Sequence, residues 1–241
     1  MSAIVGGSAV AETVNSLSVI LLLTGPMQSW GEYAPHYIRS TNDYPTKSGT
    51  VGMIASALGR HRDESVSDLA ALNMKVRVDS PGERLVDFHT ILDVVNEGEA
   101  KMTFRHYLTD AAFVVVLTGG RELVEAIATA VQKPRWIPFL GRKSCPPGLP
   151  MFLGTTSKNP VDLLNRLHVY GKENKRKVLI ASDTIEFPYE QELRDVPENF
   201  ASQPVTHHRR RVGHRRITPA GFAGTGYPAH DTLVAQIKGI S

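Results

Sequence analysis

The chain has almost no cysteine: Cys145 stands alone among 241 residues. That excludes an internal disulfide framework and fits a reducing compartment. No apolar run approaches the ~20 residues that a membrane-spanning helix needs. Aromatic residues make up only 7% of the chain. Neither sign of charge dominates, with 27 lysines and arginines against 24 acids and a net charge of +3. A preference for anionic partners must therefore come from where the cations sit. There is no internal repeat and no low-complexity tract. Residues 1–16 have neither a basic start nor a sustained apolar stretch, so they do not read as a signal peptide; a flexible tail is expected. The expectation is a cytoplasmic protein with no membrane anchor.

What is present is a globular composition, 41% apolar and 21% charged, long enough to bury a sizeable core. Residues 18–24 form a short continuous apolar run, as in a strand covered on both faces. Val51, Ile54, Ala55 and Leu58 follow helical spacing, with Ser48 as expected N-cap and Gly59 as stop. Met74, Val76 and Val78 alternate with Lys75, Arg77 and Asp79, which predicts a half-buried strand. Strands are expected over residues 84–95 and 111–118. The polar, aromatic segment between them suggests a projecting hairpin, a thumb near residues 93–110. Leu123, Val124, Ile127, Ala128 and Val131 predict a second amphipathic helix ended by Pro134. A strand near residues 151–154 completes a βαββαβ order. The fold expected is α+β, a ferredoxin-like domain over residues 17–154. A smaller C-terminal region over 155–241 follows, with one helix (161–168), one strand (177–182) and a basic, turn-rich remainder.

Residues 25–59 hold the densest chemistry. Loops longer than about 12–15 residues are usually functional or disordered. This one carries Gln28, Ser29, Trp30, Arg39, Thr46, Lys47 and Ser48, with little that would fill a core. Pro45-Thr-Lys-Ser-Gly49 opens a helix, where free N–H groups and the dipole favour an anion, or is an ordinary cap with small packing residues. Gly49 lets a ligand or backbone approach. The triphosphate-loop spacing is missing. A second basic loop, Gly141-Arg-Lys-Ser-Cys-Pro-Pro147, offers Arg142, Lys143 and Ser144 to phosphates, or is a solvated turn. Cys145 reads better as a packing residue than as a nucleophile. The run 207–216 holds five arginines, including Arg209 and Arg210, and three histidines without an acid. Its arginines would repel a metal cation, so phosphate or acidic-protein binding is favoured over a metal site, the plain alternative being a solvated edge. Arg105, His106 and Tyr107, with Tyr37 and Tyr44, add the aromatic surfaces and cations by which single-stranded RNA is held. Asp87 and His89 share a strand face as a hydrogen-bonded pair.

The segments GPMQSWG, Arg39-x-Thr41, PTKSG-x-x-G, VDFHT and FLGRKSCPP together resemble the CasD family of CRISPR-associated proteins, from about Leu17 to Arg216. The resemblance implies an RRM-related ferredoxin-like fold with a hairpin thumb. It implies a subunit of the Cascade surveillance complex that grips the 5′ repeat handle of the CRISPR RNA and caps the backbone filament. Partners would be the backbone subunit, touched by the thumb, and the large subunit. No cofactor or metal is implied. Trp30, Lys47, Ser48, Arg142 and Lys143 would line the handle, with Arg105 and Tyr107 on or near the thumb.

Two functions follow. The first is a non-catalytic RNA-binding assembly subunit. The second is a metal-independent endoribonuclease acting on precursor CRISPR RNA. That chemistry needs a base, an acid and a phosphorane-stabilising cation, for which Tyr37 or Tyr44, Lys47 and His106 are the candidates.

Overall fold

The computed structural model describes residues 15–31, 37–91, 100–171, 178–183, 189–198, 200–201, 207–219 and 228–240. Of the tail expected over residues 1–16, residues 1–14 lie outside the described residues, as do residues 92–99 of the expected thumb, while Ser16 already opens the first strand. In chain order the strands are β1 (Ser16–Thr24), β2 (Met27–Gln28), β3 (Ile38–Arg39), β4 (Asn73–Ser80), β5 (Glu83–Ile91), β6 (Lys101–Thr109), β7 (Ala112–Gly120), β8 (Phe152–Thr156), β9 (Val178–Ser182), β10 (Tyr189–Pro197) and β11 (His207–Ile217). The helices are α1 (Lys47–Leu58), α2 (Ser67–Ala70), α3 (Arg121–Gln132), α4 (Pro160–Arg166) and α5 (His230–Ile240). The architecture is mixed α/β, a large antiparallel sheet with few helices.

Seven strands form the large sheet in the order β10-β11-β9-β4-β7-β1-β8. Strand β1 lies inside it between β7 and β8, and its alternate residues feed two cores. Val19, Leu21 and Leu23 pack with α1 and α3, while Ile20 and Leu22 pack with Leu163, Leu164, Leu233 and Ile237 of α4 and α5. A strand covered on both faces reads as a continuous apolar run, as residues 18–24 do.

The same double cover corrects the expectation for β4. Its alternating residues Lys75, Arg77 and Asp79 do not face water but are 5%, 0% and 3% exposed. The polar face is buried because its groups find partners: Arg77 and Asp79 pair with each other, and Lys75 donates to Ser182 Oγ at 3.0 Å. The basic remainder is likewise no string of turns. Residues 207–217 form the strand β11, paired antiparallel with β10 and β9 in the large sheet.

Where a thumb is expected, β5 and β6 form an antiparallel pair over their whole lengths, from Glu83↔Thr109 to Ile91↔Lys101. The polar, aromatic segment expected to connect two strands is thus itself a strand. Short β2 and β3 add to its other edge.

The N-cap of α1 is Thr46, two residues before the expected Ser48. Thr46 has extended backbone, and its hydroxyl accepts from Gly49 N–H at 3.2 Å. Gly59 ends the helix with φ +80°, the left-handed conformation that favours glycine.

Candidate nucleic-acid interface

The opening segment fills the core more than its composition suggests. Trp30 and Gln28 are fully buried. Gln28 Nε2 donates to the carbonyls of Leu23 and Ala111, and its Oε1 accepts from Trp30 Nε1 at 3.1 Å. A short polar bracket thus locks the indole against α1. A Cβ on Gly49 would lie 2.8 Å from the Trp30 ring. Gly49→Ala is therefore expected to cost about 1–3 kcal/mol through overpacking; an unchanged thermal midpoint would count against that packing.

The anion favoured by the start of α1 comes from the chain itself. Asp195 Oδ2 accepts from Lys47 N–H at 2.7 Å. Lys47 Nζ pairs with Asp183 at 2.8 Å and also donates to Leu72 O. Arg210 joins both carboxylates, with Nε 2.6 Å from Asp195 Oδ1. Burial pushes the Lys47 ammonium below its usual value, against the pull of Asp183. The phenol of Tyr44, bonded to His214 Nε2 at 3.0 Å, is pushed up to about 12 by burial. Two groups considered for ribonuclease chemistry, Tyr44 and Lys47, are thus committed to internal partners.

Above this network the accessible residues converge. Ser48, Gly49, Gly52, Ala55 and Ser56 of α1, all small, line a groove of about 1090 Å³. Trp136, Phe139 and Phe200 line it with aromatic surface. Arg60, His61, Arg62, Lys143, Arg194 and His207 supply cations or potential cations around it. Asp195 is its acid, already held by Arg210. Of the expected site residues, Thr46, Ser48, Gly49 and Lys143 meet here. Ser48 Oγ lies 3.0 Å from His207 Nε2.

The loop carrying Lys143 is pinned from below. Ser29 N–H donates to Leu140 O at 3.1 Å, and Ser29 Oγ to His106 O at 3.0 Å. Gly141 has φ +84°. Arg142 lies 5.0 Å from the Tyr107 ring centroid and donates to Arg39 O at 2.8 Å. Ser144, the next residue of the loop, lines a second cavity of about 320 Å³ with Arg105 and Tyr107. Cys145 is buried, and burial pushes its thiol up, as suits a packing residue.

Other expected contacts stand apart. Arg209 pairs with Glu192 at 3.2 Å, and Arg210 lies inside the network under α1. Sequence inspection missed Arg60, Arg62, Trp136 and Phe139.

A family model for CRISPR-associated protein (Cas_Cas5) matches residues 18–216. The chain belongs to this family. Its members among similar proteins include the CRISPR system Cascade subunit CasD of Escherichia coli (strain K12), 32% identical over 77% of this chain and 92% of that protein. A solved structure titled as a CRISPR RNA-guided surveillance complex contains a chain 32% identical to this one. That match covers 91% of this chain and all of the other, with a TM-score of 0.76. A crystal structure of a Cas protein matches at 36% identity, covering 84% and 95% of the two chains, with a TM-score of 0.69. Both groove and loop lie within the span matched by the Cas_Cas5 family.

Proposed function

We propose that this protein is a non-catalytic RNA-binding subunit of a cytoplasmic Cascade-type surveillance complex. It holds the 5′ repeat handle of the CRISPR RNA and caps the backbone filament. The observation that carries this reading is the groove over α1, where small floor residues, three aromatic rings and a cationic rim coincide. Single-stranded RNA is bound by that combination, with bases on aromatic faces and phosphates against cations. Buried Gln28, Trp30 and Lys47, with half-buried Arg210, shape the groove, and Arg62, Lys143 and Arg194 meet the strand.

The order β4-β7-β1-β8, with α1 and α3 packed on one face, supports reading the core as a ferredoxin-like unit. The thumb presents Val86, Phe88, Met102 and Phe104, all 39–60% exposed, with the two phenyl rings 5.6 Å apart. Contiguous exposed apolar side chains mark protein contacts. This face docks on the neighbouring backbone subunit, and the large subunit lies nearby.

Filter binding of a repeat-handle RNA tests the groove. Arg62→Glu with Lys143→Glu is expected to weaken binding by tenfold or more. The salt dependence should become shallower by roughly 0.7 for each lost phosphate contact. Wild-type affinity and an unchanged salt slope would overturn the assignment.

A further inference from the structure

The motif Val86-Asp-Phe-His-Thr90 is not used by the groove. It lies at the second cavity, across the basic loop, where β5 and β6 pair. In that register Asp87 stands directly opposite Arg105 on the same face of the hairpin. A facing carboxylate and guanidinium would ordinarily pair. Here they do not: Asp87 Oδ2 lies 2.5 Å from His89 Nε2, and Arg105 Nε is buried without a hydrogen-bond partner. Half-buried Arg105 therefore lines a cavity with its Nε unpaired, beside a carboxylate held in place by a histidine. Met27 and Leu85 supply apolar walls, Tyr107 adds a buried aromatic wall and Ser144 adds a hydroxyl.

We infer that this cavity is a base-reading pocket for a single guanine turned out of the bound strand. The inference rests on the RNA-binding reading above. A volume of about 320 Å³ is at the small end for ligand sites, suited to one base rather than a length of strand. The basic loop supplies continuity, since Lys143 lines the groove and Ser144 lines the pocket. Arginine donates to the O6 and N7 acceptors of guanine. A carboxylate only accepts, and guanine offers it the N1–H and N2–H donors. Adenine and cytosine would turn a ring-nitrogen lone pair toward Asp87. Uracil offers one donor, N3–H, and ranks between them and guanine. His89 orients the carboxylate and leaves Oδ1 toward the base.

Saturation-transfer NMR and titration of the full chain with GMP, UMP, AMP and CMP tests this. GMP is expected to bind at least about fivefold tighter than AMP or CMP. Inosine monophosphate, lacking the exocyclic amine, should bind several-fold weaker than GMP. Asp87→Asn should abolish the preference, and Arg105→Gln should weaken all GMP binding. Both side chains are at least partly solvent-exposed, so thermal midpoints should stay near wild type. Equal affinity for the four nucleotides, no detectable GMP binding, or a preference unchanged in Asp87→Asn would each overturn the pocket. If handle RNA still binds through the groove in those cases, only this inference fails; if wild-type protein binds no handle RNA, the proposed function fails with it.

Discussion

Replacing Arg77 by methionine is expected to destabilise this protein by about 3–5 kcal/mol, the usual cost of leaving a buried charge uncompensated. Arg77 is fully buried, and each of its five N–H groups has an acceptor. Nε and Nη2 donate to the two oxygens of Asp79 at 2.6 and 2.8 Å. Nη1 donates to the carbonyls of Leu164 and Leu167, and Nη2 also to that of His168. The guanidinium therefore closes off the carbonyls at the end of α4, which no further helical turn satisfies. Asp79 in turn accepts from Tyr170 N–H at 2.7 Å. Losing the arginine strands a carboxylate and three carbonyls together and loosens the layer of α4 and α5 from the sheet. Urea denaturation followed by circular dichroism measures the loss. Arg77→Met with Asp79→Leu should recover part of it, because the orphaned charge is gone while the carbonyls remain. A loss below about 1 kcal/mol in the single variant would mean that the pair does not anchor that layer.

Gly141→Ala is expected to damage both stability and RNA binding. The residue sits at φ +84°, and a Cβ there would fall 1.8 Å from the carbonyl oxygen of Ser29. The left-handed conformation alone costs a non-glycine residue about 1–3 kcal/mol. The clash is with backbone, so no rotamer change relieves it, and the loop must move. Arg142 would leave its place over Tyr107 and its bond to Arg39 O, and Lys143 would leave the groove. Handle affinity should fall by about tenfold, equivalent to about 1.4 kcal/mol. A thermal melt and filter binding on one preparation separate the two effects. Wild-type values in both would show that the loop is not held by this contact.

Much of the frame was legible in the chain. The apolar run of β1, the spacing in α1 and α3 and the β-propensity of β7 read correctly because each carries a local period or composition. The pairing of Asp87 with His89 followed from strand alternation. What escaped was set by distant partners. Trp30 and Gln28 looked like solvent chemistry because nothing nearby shows that Leu23, Ala111 and Gly49 close around them. Lys47 looked like a phosphate ligand because Asp183 and Asp195 lie more than 130 residues further along the chain. Arg77 looked exposed because alternation with polar residues normally means water on that face. The basic run 207–216 looked like turns because its charges hid a strand.

By itself, the sequence determined the kind of protein this is. Two basic segments that each carry a glycine, an aromatic-polar opening stretch and a family signature spanning most of the chain are local properties, readable without coordinates. Tertiary structure decided which of those cations meet solvent. Asp195, brought in from β10, caps the start of α1, and with Asp183 after β9 it draws Lys47 and Arg210 inward. The small face of α1 is left open beside the basic loop. The division has one physical cause: helix starts and cations attract any anion, and only the fold determines whether that anion is supplied from within.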